Sequence, residues 1–255
     1  MSENQFVWHC YFLELFAFRY VRLLYHIYSF WFLYRPAKIP QHPTYSPADI
    51  SVVIPTVNPR NDDFEECLST CLINKPKSMF IIGGGLQIED IEEIVHPLRS
   101  NYHETEITVL STKVANKRFQ IARAIPFIQT KITVLLDDHV FWPSPNFLQT
   151  VLAPFEDPKV GIVGTNKRVR RRKNCTIFES IWNMLGALYL ERHNFEIRAT
   201  NAIDGGVFVI SGRTSAHRTE ILKNDDFIKG FTNERFFFRR FGPLNTDDDN
   251  YITRS

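Results

Sequence analysis

The sequence predicts an α/β fold: a mostly parallel central sheet with helices on both faces, preceded by an aromatic helix. Three observations carry this. From Ile50 onward, short β-branched apolar runs alternate with segments of helical periodicity. One of those runs, Ile132 to Leu136, ends in Asp137-Asp138-His139, and open α/β sheets bind ligands beyond the carboxyl ends of their strands. Finally, 255 residues suit one sizeable domain.

Taken in order, residues Gln5 to Tyr34 are dense in Phe, Tyr, Trp and Leu but broken by Glu14, Arg19 and Arg22. Their longest uncharged run, Leu23 to Tyr34, has 12 residues, short of the ~20 that a spanning helix needs. A basic leader and a small-residue cleavage site are both missing, so this is no signal peptide. An amphipathic helix in a membrane interface fits residues 1–35; an aromatic helix packed on the domain or on a partner is the other reading. Pro36, Pro40, Pro43 and Pro47 make residues 36–48 a stiff linker, and the main domain is expected over 49–255.

Within that domain Ile50–Ile54, Met79–Ile82, Ile107–Leu110 and Ile132–Leu136 read as strands. Val160–Val163 and Val207–Ile210 read as further strands. Phe64, Cys67, Leu68, Cys71 and Leu72 mark a first helix capped at Asn61 or Asp62. Ile88, Ile91, Ile94 or Val95, and Leu98 mark a second; Ile121, Ile125 and Ile128 mark a third. Cys175 to Phe195 reads as an amphipathic helix whose stripe of Ile177, Ile181, Leu185 and Leu188 should be core.

Composition excludes several classes. Charged residues make up 23% and hydrophobic residues 44% of the chain, as in ordinary globular proteins. The four cysteines have neither disulfide-framework nor zinc spacing, and Cys67 and Cys71 suit a packed core pair in a reducing compartment. Lys167 to Lys173 is a dense basic run, suited to a solvated or lipid-facing loop. It lacks interleaved aromatics and any nucleic-acid motif, so no nucleic-acid partner is expected. Asn174-Cys175-Thr176 is a formal glycosylation sequon, relevant only if that region is lumenal.

The chemistry-bearing residues fall at element ends. Asp137 and Asp138 offer hard oxygen ligands for Mg²⁺ or Mn²⁺. Lys117 and Arg118, at the start of the third helix, suit a diphosphate, which backbone N–H groups there would also face. Gly83-Gly84-Gly85 follows a strand but is neither G-x-G-x-x-G nor a P-loop, and reads as a permissive turn. Gly205 and Gly206, with Ser211-Gly212-Arg213, suit the floor of a cleft that a ligand approaches closely. Thr246-Asp247-Asp248-Asp249-Asn250 is a second acidic cluster. Two separated carboxylate sites suggest that one holds a metal and the other acts as general base.

In this order, IPTVN, NKR, LLDDHVFWP, GGVFVISGRTSAHRTEIL and TDDDNYITR resemble family 2 glycosyltransferases, and in particular hyaluronan-synthase-like fungal polysaccharide synthases of the processive, membrane-bound branch. The resemblance implies a GT-A nucleotide-sugar fold and transfer from a UDP-sugar donor to a glycan acceptor with inversion, assisted by Mn²⁺ or Mg²⁺. By position it implies Pro55 and Thr56 near the nucleoside and Lys117 and Arg118 near the diphosphate. Asp137, Gly205 and Gly206 would line the nucleotide-sugar site. Asp138 would bind the metal, with Asp137 or His139 assisting, and Asp249, or its neighbour Asp248, would be the base. It also implies membrane lipid as a partner and a catalytic domain facing the cytosol. Three departures stand out. IIGGG replaces an acidic pair, Leu136 occupies the first Asp position of D-x-D, and no Q-x-x-R-W follows the second acidic cluster before Ser255. A C-terminally truncated enzyme is therefore expected, or alternatively a non-catalytic partner subunit of a full-length synthase.

Overall fold

A computed structural model describes residues 3–170, 176–238, 240–244 and 247–254. The sequon residues Asn174 and Cys175, the stretch 171–173 of the basic run, and Thr246 lie outside the described residues. The chain forms two compact units, Met1–Pro36 with Asn166–Phe208, and Ala37–Thr165 with Val209–Ser255.

The second unit is built on a six-stranded sheet. Its strands are β1 (Ile50–Pro55), β2 (Ser78–Gly84), β3 (Glu106–Thr112), β4 (Ile132–Leu136), β5 (Ile162–Gly164) and β6 (Thr214–Arg218). Their order is β3-β2-β1-β4-β6-β5. The first four are mutually parallel, with Val53 opposite Phe80 and Leu135. β6 runs antiparallel to both β4 and β5. β1, β2 and β4 are almost wholly buried, which explains why they read as continuous apolar runs rather than alternating ones.

Alternate side chains of each strand feed opposite cores. Ile50, Val52 and Ile54 pack with α2 (Asp62–Leu72), α3 (Ile88–Asn101) and α5 (Phe147–Leu152) through Phe64, Cys67, Leu68, Ile91, Val95 and Leu148. Cys67 and Cys71 are free and buried, the core pair expected. Val53, Phe80, Ile82 and Leu135 pack with α4 (Lys117–Ala124), α7 (Thr219–Leu222), α8 (Asp225–Asn233) and α9 (Asp248–Arg254), through Ile121, Leu222, Phe231 and Ile252. The third expected helix is thus shorter than its apolar spacing suggests. Pro126 sits in a 3-10 turn over Ile125–Phe127, and Ile128 is extended but still buried.

The first unit pairs two long helices, α1 (Glu3–Tyr28), which continues through a π-turn at Ser29–Leu33, and α6 (Ile177–Asp204). Ser29 Oγ donates to Ala199 O at 2.7 Å, and Phe195 packs against the rings of His26 and Phe30. α6 begins with a capping box in which Thr176 and Glu179 satisfy each other's backbone N–H. It ends at Gly205, whose φ of +74° is the left-handed C-cap that glycine adopts without strain.

Two expectations are corrected. Val207–Ile210 forms no strand; the strand of that region is β6, a few residues later. The stripe of Ile177, Ile181, Leu185 and Leu188 is not core but exposed. Residues 166–208 group with the N-terminal helix, whereas residues 37–48 group with the sheet.

Candidate active site

The carboxyl ends of β1 and β4, the start of α4, the loop before β6 and the start of α9 meet within the second unit. Each side chain is set by its element. Pro55 closes β1 and is buried. Thr56 N donates to Ile82 O, and Gln120 Nε2 donates to both Thr56 O (2.7 Å) and Ile82 O (2.9 Å). The buried amide of Gln120 therefore holds the ends of β1 and β2 in register. Thr56 Oγ1 in turn donates to Asp138 Oδ2 at 2.7 Å. The other oxygen of Asp138 lies 3.0 Å from His139 Nδ1. The backbone N–H of Asp137 donates to Arg213 O, tying the strand end to the loop that leads into β6.

α4 starts with Asn116 as N-cap, its side chain accepting from the N–H groups of Arg118 and Phe119. The next residue, Lys117, joins the two acidic clusters. Its Nζ lies 2.8 Å from Asp137 Oδ1 and 2.9 Å from Asp248 Oδ2. Burial disfavours the ammonium, but the two carboxylates outweigh it and hold its pKa above the ordinary lysine value. Gly212 makes room for this contact. A Cβ there would stand 2.9 Å from Lys117 Nζ, 3.4 Å from Asp248 Oδ2 and 3.7 Å from Asp249 Cβ. Asp249 thus borders the same small space, its carbonyl accepting from Thr253 Oγ1.

Arg118 takes a different place from its neighbour. It is 1% exposed. Its guanidinium donates to Phe231 O and Asp247 O, pairs with Glu234 at 2.7 Å, and lies against the rings of Phe231 and Tyr251. Glu234 also accepts from Arg254 at 2.6 Å. Residues at both ends of α9 are thereby tied, through Glu234 and Arg118, to the start of α4. Gly205 and Gly206 belong to the two-helix unit, where Gly206 N donates to Asp204 Oδ1 in a tight turn.

Gln120 and Glu234 escaped the sequence reading. Gln120 gave a signal, since it lies one turn beyond Lys117 and beside Ile121 on the buried face of α4. Gly212, expected at the floor of a cleft, borders Lys117 there, a partner that the spacing does not show. Glu234 gave none, for its partners come from distant segments. Beside the site, an open groove of about 910 Å³ at the ends of β2 and β3 is lined by Gly85, Leu86, Ser111, Thr112, Val114 and Phe119, among others.

Among the described residues no group of three or more His, Cys, Asp or Glu is arranged to hold a divalent cation by protein ligands alone. Asp138 nevertheless offers hard, partly exposed carboxylate oxygens at a strand end, and Mg²⁺-like ions commonly take one or two carboxylates with substrate phosphates completing the shell. These residues fit such an ion.

Residues 47–255 match the family model described as "Glycosyltransferase like family 2". The chain is 42% identical over 247 residues to a "Type 2 glycosyltransferase" of Pyricularia oryzae, covering 97% of this chain and 49% of the relative. A second "Type 2 glycosyltransferase", from Gibberella zeae, is also 42% identical over 247 residues, covering 97% and 45%. The chain thus spans about half the length of the curated relatives it matches. Among solved structures, a mannosyltransferase from Pyrobaculum calidifontis in complex with GDP-Man and Mn²⁺ superposes with a TM-score of 0.55 at 20% identity, over 79% of this chain and 53% of that one. The fold is GT-A-like, as the sequence led us to expect.

Proposed function

The chain belongs to the glycosyltransferase-like family 2, and from that premise we propose that it transfers a sugar from a UDP-sugar to a glycan acceptor with inversion at the anomeric carbon. The observation that carries the reading is Lys117, whose ammonium joins Asp137 and Asp248. It brings two acidic clusters far apart in sequence to one place, as a division of labour between leaving group and nucleophile requires. The hyaluronan-synthase-like acceptor class rests on the sequence resemblance.

Each residue has a role on this reading. Asp138, steadied by Thr56 and His139, would hold Mn²⁺ or Mg²⁺ with the donor's diphosphate. That ion, when bound, neutralises the charge developing on the leaving diphosphate. Lys117 adds a fixed positive charge at the same end of the sheet. Because Asp248 is engaged by Lys117, we assign the base to Asp249, which borders the same space at Gly212. Its carboxylate takes the proton of the acceptor hydroxyl, whose oxygen attacks the anomeric carbon as the bond to the diphosphate breaks. Arg118 acts from inside, positioning the segment that carries Asp249.

Titration of UDP into the purified chain, with and without Mn²⁺, tests the donor half. Ligand at a hundredfold its Kd stabilises by about 2.7 kcal/mol, a Tm rise on the order of 5–10 °C for a chain of this size. The rise should need metal and vanish in Asp138→Asn; a folded protein that shows none loses its donor site. In that case a second reading leads, favoured by the Gly83-Gly84-Gly85 turn, which carries no carboxylate for the nucleoside. The chain would then be a non-catalytic partner of a full-length synthase, and would co-purify with one.

A further inference from the structure

We propose that one face of α2, with the turn that ends it, positions the strand-end carboxylates, and that Thr70 and Asn74 are positioning residues for Asp137 and Asp138. The inference rests on the donor-binding reading of those two acids. It starts from a loop with little regular structure of its own. Residues 137–146, between β4 and α5, form neither helix nor strand and contain Pro143 and Pro145, which donate no backbone hydrogen bond. Asp137 and Asp138 stand at the first two places of this loop, where a shift of about 0.5 Å is enough to spoil a binding constellation.

α2 supplies what the loop lacks. Cys67, Thr70 and Asn74 follow one another at i, i+3 and i+7, on one helical face that continues into the closing turn. Each meets a different stretch of loop backbone. Cys67 Sγ, fully buried, lies 3.6 Å from Asp137 O. Thr70 Oγ1 accepts from Trp142 N at 3.3 Å and donates to Cys67 O at 2.9 Å. Asn74 is 3% exposed and uses its whole amide. Its Nδ2 donates to Thr70 O at 3.1 Å and to Ser144 O at 3.0 Å, while its Oδ1 accepts from Leu148 N at 3.1 Å. Residues 137, 142, 144 and 148 are thus held from one side, by contacts that α2 joins to one another. Apolar residues at 70 and 74 would leave these backbone groups without partners, so both side chains answer to the course of the loop.

The test reads the metal requirement rather than stability. UDP is titrated into the full chain at increasing Mn²⁺, and the Mn²⁺ concentration that half-saturates binding is compared between variants. Thr70→Val keeps the shape and loses the hydroxyl; Thr70→Ser keeps the hydroxyl. Thr70→Val and Asn74→Ala should raise that concentration roughly tenfold or more, with UDP affinity restored at saturating Mn²⁺. Thr70→Ser should stay near wild type. Thr105→Val is the control, because the Thr105 hydroxyl donates to Pro76 O at 2.7 Å at the opposite end of the sheet. It should lower stability and leave the metal requirement alone. An unchanged metal requirement in Thr70→Val, or an equal change in Thr70→Ser or Thr105→Val, overturns the proposal. A wild type that binds no UDP with Mn²⁺ overturns the donor reading instead. Amide hydrogen exchange then decides the positioning role: in Thr70→Val, but not in Thr70→Ser, it should quicken over residues 137–142 and stay native in β3. Unchanged exchange over 137–142 overturns that role.

Discussion

At the scale of single residues, two neighbours of one type do different work. Lys117 meets carboxylates at a partly open site, and Arg118 is sealed inside. Lys117→Arg should not replace the lysine, because the Cβ position of Gly212 already lies 2.9 Å from Nζ and a planar guanidinium needs more room. We expect Lys117→Arg to lower transfer at least tenfold while far-ultraviolet circular dichroism stays native. Glu234→Gln should destabilise the protein by about 2–3 kcal/mol in urea unfolding, since it leaves the buried Arg118 without its carboxylate. Hydrogen exchange should then rise across residues 247–254 more than in β1. Asp249→Asn should abolish transfer and leave UDP binding near wild type; loss of UDP binding in that variant would count against the base assignment.

At the scale of elements, local periodicity and caps made most of the fold legible. β1, β2 and β4 are apolar runs, and Asn116 caps α4 directly before its first residue. Asn116→Ala should cost about 1 kcal/mol, read as a lower urea midpoint with an unchanged m-value. Where polar atoms pair inside the protein, the same reasoning failed. Val207–Ile210 has the apolar look of a strand, yet the strand is Thr214–Arg218. Thr214, Ser215 and His217 are nevertheless buried there, with His217 Nε2 2.8 Å from Ser215 Oγ. Apolar periodicity registers an amphipathic stripe but not what covers it, so the sequence could not reveal that α6 turns its stripe outward. The strand-end acids were legible as chemistry, but not their lysine link, which depends on tertiary placement.

At the scale of the whole molecule, His217 makes stability depend on pH. Burial lowers its pKa from 6.5 to about 3, so the folded protein keeps it neutral while the unfolded chain takes up a proton. Its contribution is therefore fully present above pH 6.5 and is lost as pH falls from 6.5 towards 3. By pH 4.5 the loss should be on the order of 3 kcal/mol. Urea midpoints at pH 7 and 4.5 should diverge in the wild type and converge in His217→Gln. The grouping of residues 166–208 with the N-terminal helix was beyond the sequence reading, because it joins segments that no local pattern relates.

The strand order also bears on how the chain is made. β5 sits at the sheet edge among the described strands, with β6 as its neighbour, and β6 also completes the side of β4 that carries Asp137 at its end. On the ribosome, β4 and β5 must therefore wait for β6, and α6 emerges during that wait. At roughly 5–20 residues per second the interval lasts seconds. For that time the nascent chain shows an unsealed sheet together with a helix that exposes an apolar stripe, so the surroundings into which α6 is born act on the protein before its sheet has closed.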